Sequence, residues 1–128
     1  MTTILIVEDD PDITRSLAIR LRREGYEIAC AVDAVLATTV AVKSRPDLAI
    51  LDISIPGGSG FQVAERIQNL STLAGTPILF ITASKEPELR ERAEALGAVG
   101  FFEKPYEATK LIELVRRVLE FEDELEVS

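Results

Sequence analysis

The chain has no histidine, a single cysteine and no long apolar run, and each absence removes a class of function. Without histidine there is no Ser-His-Asp triad, no imidazole metal ligand and no phosphohistidine. A lone Cys30 forms no disulfide within the chain, and a free thiol suits a reducing compartment. The apolar runs fall well short of the roughly 18 residues that cross a bilayer. The start, MTTILIVEDD, has neither the basic residues nor the apolar length of a signal peptide, so a cytoplasmic protein is expected. Positive charge is scarce too: 14 Lys and Arg face 22 Asp and Glu, for a net charge of −8. Gripping a phosphate backbone requires clustered Lys and Arg, so direct nucleic-acid binding by this chain is not expected. Any chemistry must come from carboxylates, hydroxyls and lysine.

What is present fits one folded domain. At 128 residues and 47% apolar content, the chain can bury roughly two-thirds of its unfolded surface. Five apolar runs, 3–7, 27–31, 48–51, 77–81 and 99–102, show little polar alternation, as strands covered on both faces should. Between them the period becomes helical. Ile13, Leu17 and Leu21 form one stripe, closed by Gly25. Residues 34–43 are rich in Ala and Val and are bounded by Pro46. Val63, Ile67 and Leu70 form the next stripe, and Leu89, Ala93 and Leu96 another, stopped by Gly97. In the last segment Leu111, Ile112, Leu114, Val115, Val118, Leu119 and Phe121 cover about half a helical wheel, more than the ~100° that one sheet-facing stripe needs. The surplus is either extra core or a contact face. Glu122 and Glu126 enter the same arc, so packing should end near Phe121, with 122–128 an acidic tail or the start of a linker. Strand–helix alternation with short connections predicts an α/β fold, a doubly wound parallel sheet with helices on both faces.

Such sheets bind ligands beyond the carboxyl ends of their strands, where strand order reverses. The first strand delivers Glu8, Asp9 and Asp10 to that rim. The third delivers Asp52, within LAILDISIPGGSG, the fourth Thr82 and the fifth Lys104. Each has a plain structural reading. Asp10 before Pro11 reads as a helix N-cap, Asp52 as a turn starter, Thr82 as a strand end with Ser84 capping the next helix, and Lys104 as a solvated lysine. Together they are harder to dismiss, because four strands send polar groups to one rim. Converging carboxylates repel, which raises a pKa or calls for a cation, and oxygen ligands favour a hard ion such as Mg²⁺. Glu8, Asp9, Asp52 and the Ser54 carbonyl could hold it. Lys104 would add positive charge and Thr82 a hydrogen bond, the parts that phosphoryl transfer uses, with Asp52 as nucleophile.

Four motifs in order, ILIVEDD, LAILDISIPGGSG, ILFITAS and GFFEKP, together with their spacing, resemble the receiver domain of two-component response regulators over residues 1–121. The resemblance implies a flavodoxin-like five-stranded sheet ordered 2-1-3-4-5. It implies Asp52 as phosphoacceptor, Asp9 as direct Mg²⁺ ligand, Glu8 acting mainly through water, and Ser54 as backbone ligand. It further implies Thr82 as switch hydroxyl, Phe101 as switch aromatic, Lys104 as phosphate-binding lysine, and a cis Lys104–Pro105 bond. The face made by helix 4, strand 5 and helix 5 would change on phosphorylation. Implied partners are a histidine kinase or phosphotransfer protein, and a downstream target or an output domain of its own. A phosphorylation-dependent homodimer through the same face is a further option. GAVGFF lacks the acids that regulators of the OmpR/PhoB type commonly use there, which counts against a charged form of that dimer. The chain would be a phosphoacceptor assisting its own phosphorylation and dephosphorylation, with Ser54 and Ser84 flanking the path of attacking water.

Other readings are weaker. A haloacid-dehalogenase-like hydrolase needs an acid two residues after its nucleophile, where Ser54 stands, and a flavin-binding protein needs a hydroxyl- and glycine-rich loop where VEDDPD stands. A phosphorylation-independent interaction module leaves the acids, Thr82 and Lys104 without purpose. Whether the chain is a stand-alone regulator or the receiver of a longer one is not decided by its residues.

Overall fold

A computed structural model describes the backbone of residues 1–127 and the side chains of residues 1–120. The main sheet comprises β1 (Thr3–Val7), β2 (Glu27–Ala31), β3 (Leu48–Asp52), β4 (Ile78–Thr82) and β5 (Gly100–Glu103). All neighbours run parallel in the order β2-β1-β3-β4-β5, as the sequence predicts. The helices are α1 (Pro11–Arg23), α2 (Ala34–Ser44), α3 (Gly60–Asn69), α4 (Pro87–Ala95) and α5 (Ala108–Val127). No helix among the described residues is long and apolar enough to cross a membrane.

Period-two geometry divides the unbroken apolar strands between two cores. Leu5, Val7, Ala49, Leu51, Ile78 and Phe80 face Ala34, Ala37 and Ala41 of α2, Phe61, Val63 and Ile67 of α3, and Ala93 of α4. Their neighbours Ile4, Ile6, Leu48, Ile50, Leu79 and Ile81 face Leu17, Ala18 and Leu21 of α1 and Leu111, Ile112, Val115 and Leu119 of α5. The wide apolar arc of α5 is accounted for mostly as core, since Leu114 and Val118 also pack, partly buried, against that second face. The expectation that packing ends at Phe121 and that 122–128 form a solvated tail falls on side chains outside the described residues.

Three strands end one residue later than the sequence expectation, and β4 and β5 also start one residue later, at Ile78 and Gly100. β3 retains Asp52, β4 runs to Thr82 and β5 to Glu103, because Asp52 pairs with Ile81 and Thr82 with Glu103 in the ladders. Main-chain pairing is indifferent to side-chain polarity, so it outlasts the apolar run. A small feature was not foreseen: Ser54–Ile55 and Gly58–Ser59 form a two-residue antiparallel hairpin. It turns through Pro56 and Gly57, and Gly57 has φ 78°, a left-handed conformation that glycine adopts freely.

Candidate functional site

Strand order reverses between β2-β1 and β3, and the polar groups gather beside that crevice. Glu8 follows β1 and keeps to the sheet through its amide, which donates to the Ala31 carbonyl at 3.1 Å. Its carboxylate is buried, whereas Asp9 is exposed. Asp10 is drawn away as the N-cap of α1, accepting the Asp12 amide at 2.9 Å ahead of Pro11. Its plain reading therefore holds.

Asp52 closes β3 with only 2% of its surface exposed. Its Oδ1 accepts the Ser54 amide at 3.0 Å, which fixes the carboxylate plane. Gly60, which opens α3, packs directly against the Asp52 carbonyl, where a Cβ would not fit. The loop of small residues thus brings α3 right up to the phosphoacceptor candidate. The structure places Ser54, exposed, in the short hairpin.

Lys104 comes from the far side. Its amide donates to the Thr82 carbonyl at 2.7 Å, and the Lys104–Pro105 peptide is cis. The side chain reaches back over the sheet, where Nζ donates to Glu8 Oε1 and Asp52 Oδ2, both at 2.7 Å. One ammonium therefore serves two buried acids. Burial pushes the Glu8 carboxyl up from 4.5 to about 7, with the hydrogen-bonded Asp52 adding to the rise and Lys104 opposing it. Burial alone would lower the Lys104 pKa. Its bonds to Asp52 and Glu8 outweigh that and raise it.

Thr82 is fully buried, and its Oγ1 accepts the Ser84 amide at 3.0 Å. Ser84 does not cap α4, contrary to its plain reading. Its Oγ accepts the Glu86 amide at 3.2 Å, and the N-cap position of α4 belongs to Glu86, which forms no side-chain cap bond. Phe101 sits in β5 opposite Phe80, partly buried, with the Arg90 guanidinium 4.6 Å above its ring. Arg92 covers Phe61 in the same way at 4.4 Å. Neither arginine carried a signal in the sequence, since cation–π pairs follow no spacing rule.

Oxygen atoms of Glu8, Asp9 and Asp52 all lie within 4.8 Å of one another. Carboxylates this close, one with a strongly raised pKa, make an all-oxygen donor set suited to a hard cation.

The profile of the response regulator receiver domain matches residues 4–116. The DNA-binding dual master transcriptional regulator RpaA of Synechocystis is 32% identical over 125 residues, covering 98% of this chain and 52% of RpaA. The chain thus spans about half the length of the curated relatives it matches. Among solved structures, the chemotaxis protein CheY4 of Vibrio cholerae superposes with a TM-score of 0.84 at 32% identity, over 92% of this chain and 98% of CheY4. The receiver domain of sensor histidine kinase PA1611 from Pseudomonas aeruginosa, solved with magnesium in its active-site cleft, gives 0.80 at 26% identity, over 91% and 95%. With the fold, the strand order and the acidic crevice already in place, these matches show that the chain belongs to the response regulator receiver domain family, the receiving module of two-component signalling.

Proposed function

We propose that Asp52 accepts a phosphoryl group from a phosphohistidine of a histidine kinase or phosphotransfer protein. The observation that carries this reading is the clamp on Asp52, with Oδ1 held by the Ser54 amide and Oδ2 by Lys104 beside two further carboxylates. An Asp52 oxygen attacks phosphorus, the P–O bond forms as the P–N bond breaks, and the donor imidazole leaves with the electron pair. Lys104 stays beside the phosphoryl oxygens and offsets their charge. Glu8, Asp9 and Asp52, with the Ser54 carbonyl, are the residues that would hold Mg²⁺, which when bound supplies charge neutralisation for three acids and an incoming anion.

Thr82 then exchanges its Ser84 contact for a hydrogen bond donated to a phosphoryl oxygen. Phe101 turns into the space vacated, and the α4–β5–α5 face repacks as a shift between two populations. The phosphoryl group is later lost to water, at a rate set partly by what flanks the site at Ser54 and Ser84. The chain is a signalling module rather than an enzyme with a separate substrate. DNA contact is named for RpaA; with its charge of −8, this chain's part is reception, and output falls to a target or another segment.

The test is intact mass after incubation with acetyl phosphate. A gain of one phosphoryl group that requires Mg²⁺ and disappears in Asp52→Asn is expected. No gain under any condition would favour an interaction module that works without phosphorylation.

A further inference from the structure

Helix α2 breaks the rule that a surface helix hides its apolar side. Between Asp33 and Lys43 it carries no charge at all, AVLATTVAV, in a chain that is 28% charged. The core takes its alanines, Ala34, Ala37 and Ala41, with Val40 packed partly against it, while Val35, Leu36 and Val42 point outward. Val35 is 68% exposed, Leu36 48% and Val42 49%, with Val32 of the preceding loop at 56%. At 100° per residue, Val35, Leu36, Thr39, Val42 and Lys43 occupy one continuous arc of about 120°, centred on Thr39. Clustered exposed apolar side chains of this kind mark an interaction surface.

The charges at its two ends say what fits it. Asp33, the N-cap, stands at one end, and Lys43 and Arg45 stand exposed at the other. Laying a second α2 antiparallel on the first, with Thr39 on the two-fold axis, sets Leu36 against Val42 of the second copy. Lys43 of that copy, two residues inside Arg45, then falls on the same side of the seam as Asp33. Both copies gain the same contacts, as an isologous interface requires, and the small Thr39 lets the helices approach. A parallel arrangement would place like charges together at both ends. We infer that the exposed face of α2 is a self-complementary docking surface for α2 of a second copy of this chain.

An eleven-residue helix is about 16 Å long, so the face is smaller than a standard interface and the dimer is weak. The face also abuts the candidate site loop. The Ala34 amide donates to the Pro56 carbonyl at 3.0 Å, and a Cβ on Gly57 would meet Val35 Cγ2 at 3.2 Å. Docking there leaves the α4–β5–α5 face open.

Sedimentation equilibrium of the unphosphorylated protein, in EDTA and reductant up to about 1 mM, tests the inference. Concentration-dependent dimer is expected, weakened at least tenfold by Leu36→Glu and by Lys43→Glu, which sets an acid near Asp33 of the second copy. Both changes suit an exposed helix, and circular dichroism checks that each variant folds. In a Cys30→Ala background, oxidised Thr39→Cys should form a disulfide-linked dimer, whereas Lys85→Cys, on the loop before α4, should not. Monomer throughout, or a dimer indifferent to Leu36→Glu, overturns the inference, and so does capture of an unrelated partner by this face without self-association.

Discussion

Replacing Lys104 by methionine removes the ammonium that bridges Glu8 and Asp52 and leaves two buried carboxylates facing one another. Breaking a buried pair costs several kcal/mol, but Glu8 can relax by taking a proton. A loss of about 2 kcal/mol at pH 8 in EDTA is expected, shrinking toward pH 5, as urea denaturation would show. Glu8 itself sets a pH dependence. Its folded pKa of about 7 lies above the ordinary 4.5, so the folded chain holds this proton more tightly than the unfolded chain. That contribution is full below 4.5 and is lost as pH rises through 7. It amounts to about 3 kcal/mol. In EDTA, the stability of wild type relative to Glu8→Gln should fall between pH 5 and pH 8, and parallel curves would refute the assignment. Gly60→Ala would press a methyl against the Asp52 carbonyl. A cost of about 2 kcal/mol and slower phosphoryl acceptance are expected, measured by denaturation and intact mass. The rim position of Asp52, Thr82 and Lys104 was legible in the sequence because each stands at or just past the end of an apolar run. The fork of one lysine onto two acids was not, because it depends on side-chain reach across 96 residues of sequence.

At the scale of elements, α4 stands apart. It buries only Ala93 along its length and lacks a side-chain N-cap bond, whereas α3 has a full capping box between Ser59 and Gln62 and buries Phe61, Val63 and Ile67. Hydrogen exchange should therefore be faster in α4 than in α3. Glu86→Ser should slow it by supplying a cap worth about 1 kcal/mol; equal protection of the two helices would show that α4 draws stability from elsewhere. The strands were readable because unbroken apolar runs of this length leave little choice of period. Their ends were less so, since the ladder admits Asp52, Thr82 and Glu103 regardless of polarity. The hairpin at 54–59 is too short for any periodicity to register. Helix α2 was the least periodic segment in the sequence, and the reason is now visible: it is apolar on both sides.

For the whole molecule, the winding was legible from the alternation of elements alone, and the strand order followed from the resemblance. If the acidic crevice holds Mg²⁺, the ion should raise the thermal midpoint of wild type, and Asp9→Asn should abolish that rise. The last consequence concerns order of synthesis. The partners of Lys104 lie 96 and 52 residues before it, just after β1 and at the end of β3, two adjacent inner strands of the sheet. A growing chain therefore carries its acids for most of its length without their counter-charge. Only when β5 docks on β4 does the ammonium arrive. On the proposed reading, competence to receive a signal is thus conferred last, and a chain cut short before β5 holds the Asp52 carboxylate without the lysine that bonds it.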